Sequence, residues 1–273
     1  MSRGFGYIRD PAHRRAMQVS SRLHPDIGNA PQSPPSASLA QYRCSTFDQG
    51  SSESCLGHGS SQLICIALGA MGLNPFVASP DGIYTVGRCA ARADATPPGM
   101  TLPPLTDEGA IPSYVMAGIA KWGVRPMTAI LTERYSDVSE ANVNDEPSLL
   151  DLEASAGRLV VGEYRIDETA PDMLSQICAC VSLAARPVGI GVLIDSMFMA
   201  YAGGPPLASL NLADIKGGHW LALDTYYPTL DGSDVVFEGP NSWGTVWGKQ
   251  GVYSVTGSWL RRAISDCYAF TIR

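Results

Sequence analysis

Lysine is nearly missing from this 273-residue chain, occurring only at Lys121, Lys216 and Lys249, and acidic residues outnumber basic ones 26 to 19. The resulting net charge of −7 and pI near 5.0 exclude the basic stripe that a nucleic-acid partner demands. No apolar run is long enough to span a bilayer. Residues 1–20 carry arginines and no apolar h-region, so neither a secretory signal nor a membrane partner is expected. Seven cysteines, an odd number, include no C-x-x-C unit. Cys178-Ala179-Cys180 comes nearest, with one residue too few between its thiols for a zinc site. No metal and no cofactor is therefore expected. Without a signal, a reducing compartment is favoured over a disulfide framework. Cys65, Cys178, Cys180 and Cys267 lie in apolar surroundings and read as buried free thiols. Asp137, Glu140, Asp145, Glu146, Asp151 and Glu153 read as a solvated junction, with no carboxylate pair at acid–base spacing.

What the chain does contain is a cysteine in an informative place. Asp48-Gln49-Gly50-Ser51-Ser52-Glu53-Ser54-Cys55 is a polar, glycine-broken approach to the apolar-periodic stretch Leu56 to Met71. That pattern puts a thiol in the first turn of a helix, where unpaired N–H groups favour the thiolate. The approach loop also carries an amide donor, Gln49, suited to a developing oxyanion. His58 lies three positions along the same helix, beside the thiol's own turn, and reads as packing.

Far downstream, Gly217-Gly218-His219-Trp220-Leu221-Ala222-Leu223-Asp224 reads as a strand with a histidine near its start. Val235-Val236-Phe237 then leads into Gly239-Pro240-Asn241-Ser242-Trp243-Gly244-Thr245-Val246-Trp247-Gly248. A thiol nucleophile needs a base to take its proton and a group to orient that base. Cys55, His219 and Asn241 supply those types in order.

With these residues in hand, the chain resembles the papain-like (C1) cysteine peptidases, of a divergent bacterial or viral type. Asn241-Ser242-Trp243-Gly244-Thr245, followed by Trp247-Gly248 and Gly251, reproduces the family's asparagine motif, and Gln49 stands at the family's spacing of six before the nucleophile. The block around the cysteine departs from C-G-[SA]-C-[WY], reading Ser52-Glu53-Ser54-Cys55-Leu56. Ser52 removes a disulfide partner, and Glu53 adds bulk and negative charge near the groove. The resemblance covers roughly residues 41–273. It implies a catalytic triad of Cys55, His219 and Asn241 and an oxyanion hole of Gln49 and the Cys55 N–H. It also implies that Trp243 and its neighbour Ser242 support the site. Glu108-Gly109 stands where the family binds substrate backbone. Gly218 and Trp220, which differ from the family's usual residues beside the histidine, would contribute pocket walls.

The expected fold class is α+β, with a helical half-domain, a β-barrel-like half-domain and a cleft between them. Residues 1–40 read as an arm, short pro-segment or linker, rich in proline and serine near Pro31 to Ser36, with His13 and His24 in its polar stretch. Residues 41–150 read as the helical half. Its helices begin near Cys55, at Ser79-Pro80-Asp81 and at Pro112, the last stopping at Gly123. Residues 151–273 read as the sheet half, with strands at Leu159 to Ile166 and Pro187 to Ile194 and around His219, Val235 and Val252. A helix over Met173 to Ala185 opens on the box Thr169-Ala170-Pro171-Asp172.

The expected function is that of a cysteine endopeptidase, a hydrolase whose thiolate–imidazolium pair cuts an extended peptide or protein substrate through a thioester. It would process specific partners, in the cytoplasm or on a virion. Two other readings stand beside it: a protein that keeps the fold and binds peptides without cutting them, and a thiol amidase or transpeptidase on cell-wall peptides.

Overall fold

The computed structural model describes residues 4–10, 17–18, 35–74, 76–124, 126–127, 144 and 161–272. His13, His24, the carboxylates Asp137 to Glu153 and the start of the strand expected from Leu159 lie outside them.

The helical part is built on α1 (Cys55–Ala70), which is buried from Cys55 through Leu68. Among its buried polar residues, Ser61 Oγ donates to Ala78 O at 2.6 Å and Gln62 Nε2 to Ser45 O at 2.9 Å. Gly57 makes the burial possible on one flank: a side chain there would run into Pro80 O and lie 2.9 Å from Tyr84 Cβ of α2 (Pro80–Ala95). The α2 start follows its sequence signals, since Ser79 Oγ accepts from Gly82 N at 3.0 Å and Pro80 takes the first turn. Helix α3 (Pro112–Trp122) begins with proline and ends at Gly123, whose φ of 74° favours glycine.

Among the described residues, nine strands form two sheets. The first has the order β1 (Met17–Gln18), β3 (Val161–Arg165), β9 (Ile264–Ile272), β4 (Val188–Asp195), β5 (Ile215–Leu223), with β1 parallel to β3 and the other pairs antiparallel. The second has the order β2 (Ala37–Ser38), β6 (Thr225–Pro228), β7 (Val235–Pro240), β8 (Val252–Thr256), antiparallel throughout. The chain passes from one sheet to the other at Asp224, between β5 and β6. Arg43 grips that fully buried carboxylate through Nε and Nη2, both at 2.6 Å.

Helices α4 (Met173–Ser182), α5 (Ser196–Met199) and α6 (Gly257–Ala263) complete the fold. Helix α4 is shorter than expected at its C-terminus. Asp172 does stand at its N-cap but accepts from Gln176 Nε2 at 3.0 Å and makes no side-chain cap bond to the backbone. One core lies between the sheets and α4 to α6. A second surrounds α1 to α3 and takes in Trp220, Ala222, Tyr268 and Phe270 from the first sheet. Helix α1 is thus packed against the sheet that carries the histidine. All seven cysteines are free thiols. Among the described residues, no cluster suits a metal ion, and no helix is long and apolar enough to cross a membrane.

Candidate active site

Cys55 is the first residue of α1 and is completely buried. Ser54 occupies the N-cap without capping the helix through its hydroxyl. That hydroxyl bonds Ser52 Oγ at 2.6 Å and His58 Nδ1 at 3.1 Å, while His58 Nδ1 also lies 3.0 Å from Ser54 O. His58 is therefore a buried brace of the turn that opens α1, matching its reading as packing. The Cys55 thiol faces β5, where it takes a hydrogen bond from the Trp220 backbone.

His219, in β5, directs Nε2 at Asn241 Oδ1, 2.7 Å away. Ser242 N donates to the same oxygen at 2.8 Å, which identifies that atom as the acceptor. The neutral imidazole therefore carries its proton on Nε2, leaving the Nδ1 lone pair free. The Trp243 ring lies over the imidazole, with centroids 4.6 Å apart at an interplanar angle of 28°. With Trp243 only 2% exposed, the His219–Asn241 bond is sealed from water, where such a bond is strongest.

Gln49 is fastened to the Asn241 turn from across the fold. Its backbone N donates to Ser242 O at 2.8 Å, and its Oε1 accepts from Ser242 Oγ at 2.5 Å. The other end of the amide, Nε2, donates to Ser52 O at 2.8 Å and to Gly4 O at 3.2 Å. Ser242 thus sets which way the Gln49 amide faces. The structure brings Cys55, His219, Asn241, Gln49, Ser242 and Trp243 into one locality.

Residues 4–10 lie across this locality. Gly6 pairs with His219 as an antiparallel bridge, and Tyr7 pairs with Ala110 as a parallel one. Ala110 N donates to Gly6 O at 2.8 Å, and Ile8 N donates to Ala110 O at 2.9 Å. Phe5 O sits 3.5 Å from His219 Nδ1. Close approach demands glycine here: a side chain at Gly4 would run into Ser52 O, and one at Gly6, where φ is +61°, into Glu53 O. Glu53 then takes a role that its charge alone did not indicate. Its carboxylate accepts from Phe5 N at 2.8 Å and also from Gly6 N.

Asp107 was also not anticipated. It accepts from Glu53 N at 3.1 Å and from Tyr84 Oη at 2.8 Å, while Tyr84 Oη accepts from Gly109 N at 3.0 Å. This chain of bonds holds the Gly109 turn beside the loop that precedes Cys55. Of the expected substrate-binding residues, Gly109 contacts Gly6, and Gly218 and Trp220 contact Tyr7. Glu108 is exposed and lines, with Ile8 and Gly109, a surface cavity of about 280 Å³.

Burial under this segment sets the protonation of the pair. Desolvation pushes the Cys55 thiol well above its ordinary range, helped by the Glu53 charge and opposed by the Trp220 backbone bond. Desolvation likewise holds His219 down to about 4, despite the Asn241 bond. Both shifts favour the neutral form of each group while it stays buried.

Comparison with solved structures places this architecture. The fold is that of the papain-like cysteine proteases. Xylellain, a cysteine protease from Xylella fastidiosa, superposes with a TM-score of 0.75 at 18% identity, covering 99% of this chain and 96% of that one. Digestive procathepsin L 3 of Tenebrio molitor larval midgut gives 0.65 at 16% identity, over 96% of this chain and 77% of the other. Bromelain from Ananas comosus, in complex with the E64 inhibitor, gives 0.57 at 17% identity, over 88% and 100%. No protein-family sequence model matches the chain, and no curated protein matches it in sequence.

Proposed function

We propose that this protein is a cysteine endopeptidase that uses Cys55, His219 and Asn241, and that segment 4–10 keeps it latent. The observation that carries the reading is the sealed His219–Asn241 bond, made by the strand against which the Cys55 thiol is packed. It fixes an imidazole with its proton-accepting nitrogen free.

When segment 4–10 withdraws, water reaches the site and the desolvation that keeps both groups neutral is relieved. His219 Nδ1 takes the thiol proton, and the Cys55 sulfur attacks the carbonyl carbon of an extended peptide. Charge collects on the carbonyl oxygen, which the Gln49 Nε2–H and the Cys55 backbone N–H stabilise. Gln49 Nε2 already donates to a peptide carbonyl, Gly4 O at 3.2 Å, which supports that role. The amine leaves with the proton from His219, and water, activated by the same nitrogen, hydrolyses the thioester. Cleavage of particular protein partners, rather than bulk digestion, suits a groove already occupied by the chain's own backbone.

The test uses the full chain carrying Gly6→Ala, whose added methyl collides with Glu53 and displaces the segment. Iodoacetamide labelling across mildly acidic pH is then followed residue by residue by mass spectrometry. Cys55 is expected to label faster than the six other cysteines, and the advantage to vanish when His219→Ala is added. Equal rates at all seven thiols would refute the peptidase reading and leave a protein that binds peptides without cutting them.

A further inference from the structure

Tyr7 is the largest side chain that segment 4–10 buries in the body of the protein, and its surroundings match its shape. Its ring stacks on Trp220, with centroids 6.2 Å apart at 29°. The space it fills exists because two positions lack side chains. A Cβ at Gly191 would collide with Tyr7 Cζ and lie 2.5 Å from Cε2, and one at Gly218 would lie 2.7 Å from Cδ1. Neither glycine has a positive φ, so the backbone does not require glycine there; the tyrosine ring does.

At the far end stands Asp266, fully buried in β9. Asp266 Oδ2 accepts from Tyr7 Oη and, at 3.0 Å, from Asp10 N, while Ser265 Oγ lies 2.9 Å from Tyr7 Oη. Oδ1 of Asp266 has no partner among the described residues. Among the described residues, the hydrogen bonds given to this carboxylate thus come from segment 4–10. Burial, more than any neighbour, raises the Asp266 pKa. A buried acid that its own fold leaves unsatisfied is costly unless something fills the pocket.

Resting on the peptidase reading above, the geometry points to a substrate pocket selective for tyrosine, with Gly191 and Gly218 setting its shape and Asp266, aided by Ser265, recognising the phenol hydroxyl. Segment 4–10 occupies it as a substrate mimic. The Ala110 edge offers one N–H and one C=O, so a peptide of either polarity can pair there. A phenylalanine would fill the ring space and leave Asp266 without a donor. Sites built to bond a substrate hydroxyl discriminate strongly against its absence.

Two measurements test this. In the first, the full chain with Tyr7→Ala digests a denatured protein mixture, and the cleavage sites are read by mass spectrometry. Tyrosine is expected to exceed phenylalanine by about tenfold or more at one fixed position near the cut bond. Adding Gly191→Ala should abolish the tyrosine preference while cleavage beside small residues persists. Parity of tyrosine and phenylalanine, dominance of arginine or lysine, or a profile indifferent to Gly191→Ala would each overturn the pocket. The second measurement needs no catalysis. Calorimetry compares the peptide Gly-Phe-Gly-Tyr-Ile-Arg-Asp with its counterpart bearing phenylalanine for tyrosine, binding to the full chain with Cys55→Ala and Tyr7→Ala. The tyrosine peptide should bind about tenfold tighter, a gap of about 1.4 kcal/mol. Equal affinities overturn the assignment. Discrimination in binding without any cleavage would overturn the peptidase reading and uphold the pocket.

Discussion

Glu53→Ala isolates what keeps segment 4–10 in place. The Glu53 carboxylate takes the Phe5 and Gly6 amides of the segment, and hydrogen bonds to a charged group are worth about 1.5–3 kcal/mol each. The site is part-buried, and water recovers some of the loss, so about 2 kcal/mol is a reasonable net loss for the pair. At 1.4 kcal/mol per factor of ten, that raises the population of the withdrawn segment about 30-fold. The direct assay is amide hydrogen exchange of residues 4–10, with Ala110, whose N–H donates to Gly6 O, as a reporter outside the segment. Protection at Phe5, Gly6, Ile8 and Ala110 should fall about 30-fold together, while amides in the centre of β4 keep theirs. Exchange is preferable to labelling of Cys55, because removing the Glu53 charge also eases ionisation of that thiol. Loss of protection at Phe5 and Gly6 alone, with Ile8 and Ala110 unchanged, would refute the idea that the segment leaves as a unit.

Arg43→Ala should destabilise the fold by about 3 kcal/mol, since it strands the buried Asp224 carboxylate at the crossing between sheets; urea unfolding measures this, and a loss under 1 kcal/mol would contradict it. Stability should also fall on acidification. His219 and His58 are both held by burial to about 4, so between that value and their ordinary 6.5 the unfolded chain binds more protons, and stability is complete above 6.5 and declines below it. Each histidine contributes a loss of about 2 kcal/mol from pH 7 to pH 5. Asp266, whose pKa is raised, acts in the opposite sense and offsets part of it. Urea unfolding at the two pH values, with His58→Asn expected to reduce the difference, checks the sign; a fold more stable at pH 5 would contradict it.

The elements that carry chemistry were legible because each announces itself locally. A polar glycine-bearing approach, a cysteine and an apolar run specify a helix starting at Cys55, and the structure begins α1 there. Pro112 and Gly123 bound α3 in the same way. Strand β9 was not anticipated, since its run around Asp266 and Cys267 carries no turn signal before it and follows directly on α6. The placement of residues 4–10 was out of reach for a different reason. Its grip comes mainly from backbone groups and from glycines defined by what they touch, and Ser52, Glu53, Ala110 and His219 are distant in sequence. Glu53 read as an added charge, but that it faces two amides of the arm is a fact of tertiary structure alone. Asp266 shows no local pattern, and its meaning depends on Tyr7, 259 positions away.

The indole of Trp220 is wedged between α1, which begins with Cys55, and β4, which pairs with the strand that carries His219. A side chain at Gly59 of α1 would lie 2.6 Å from its Cδ1, and one at Gly189 of β4 would lie 3.0 Å from its Cζ2 neighbour Cη2. The residue next to the histidine is therefore keyed into the helix that begins with the cysteine, like a dowel through two timbers. Such a joint resists shear and hinge motion between Cys55 and His219, because either would drive the ring into backbone on one side or open a void on the other. On the peptidase reading proposed above, entry to the groove then depends on segment 4–10 withdrawing, and not on the halves of the molecule parting. It also ties the two glycines and the tryptophan into a set that can change only together.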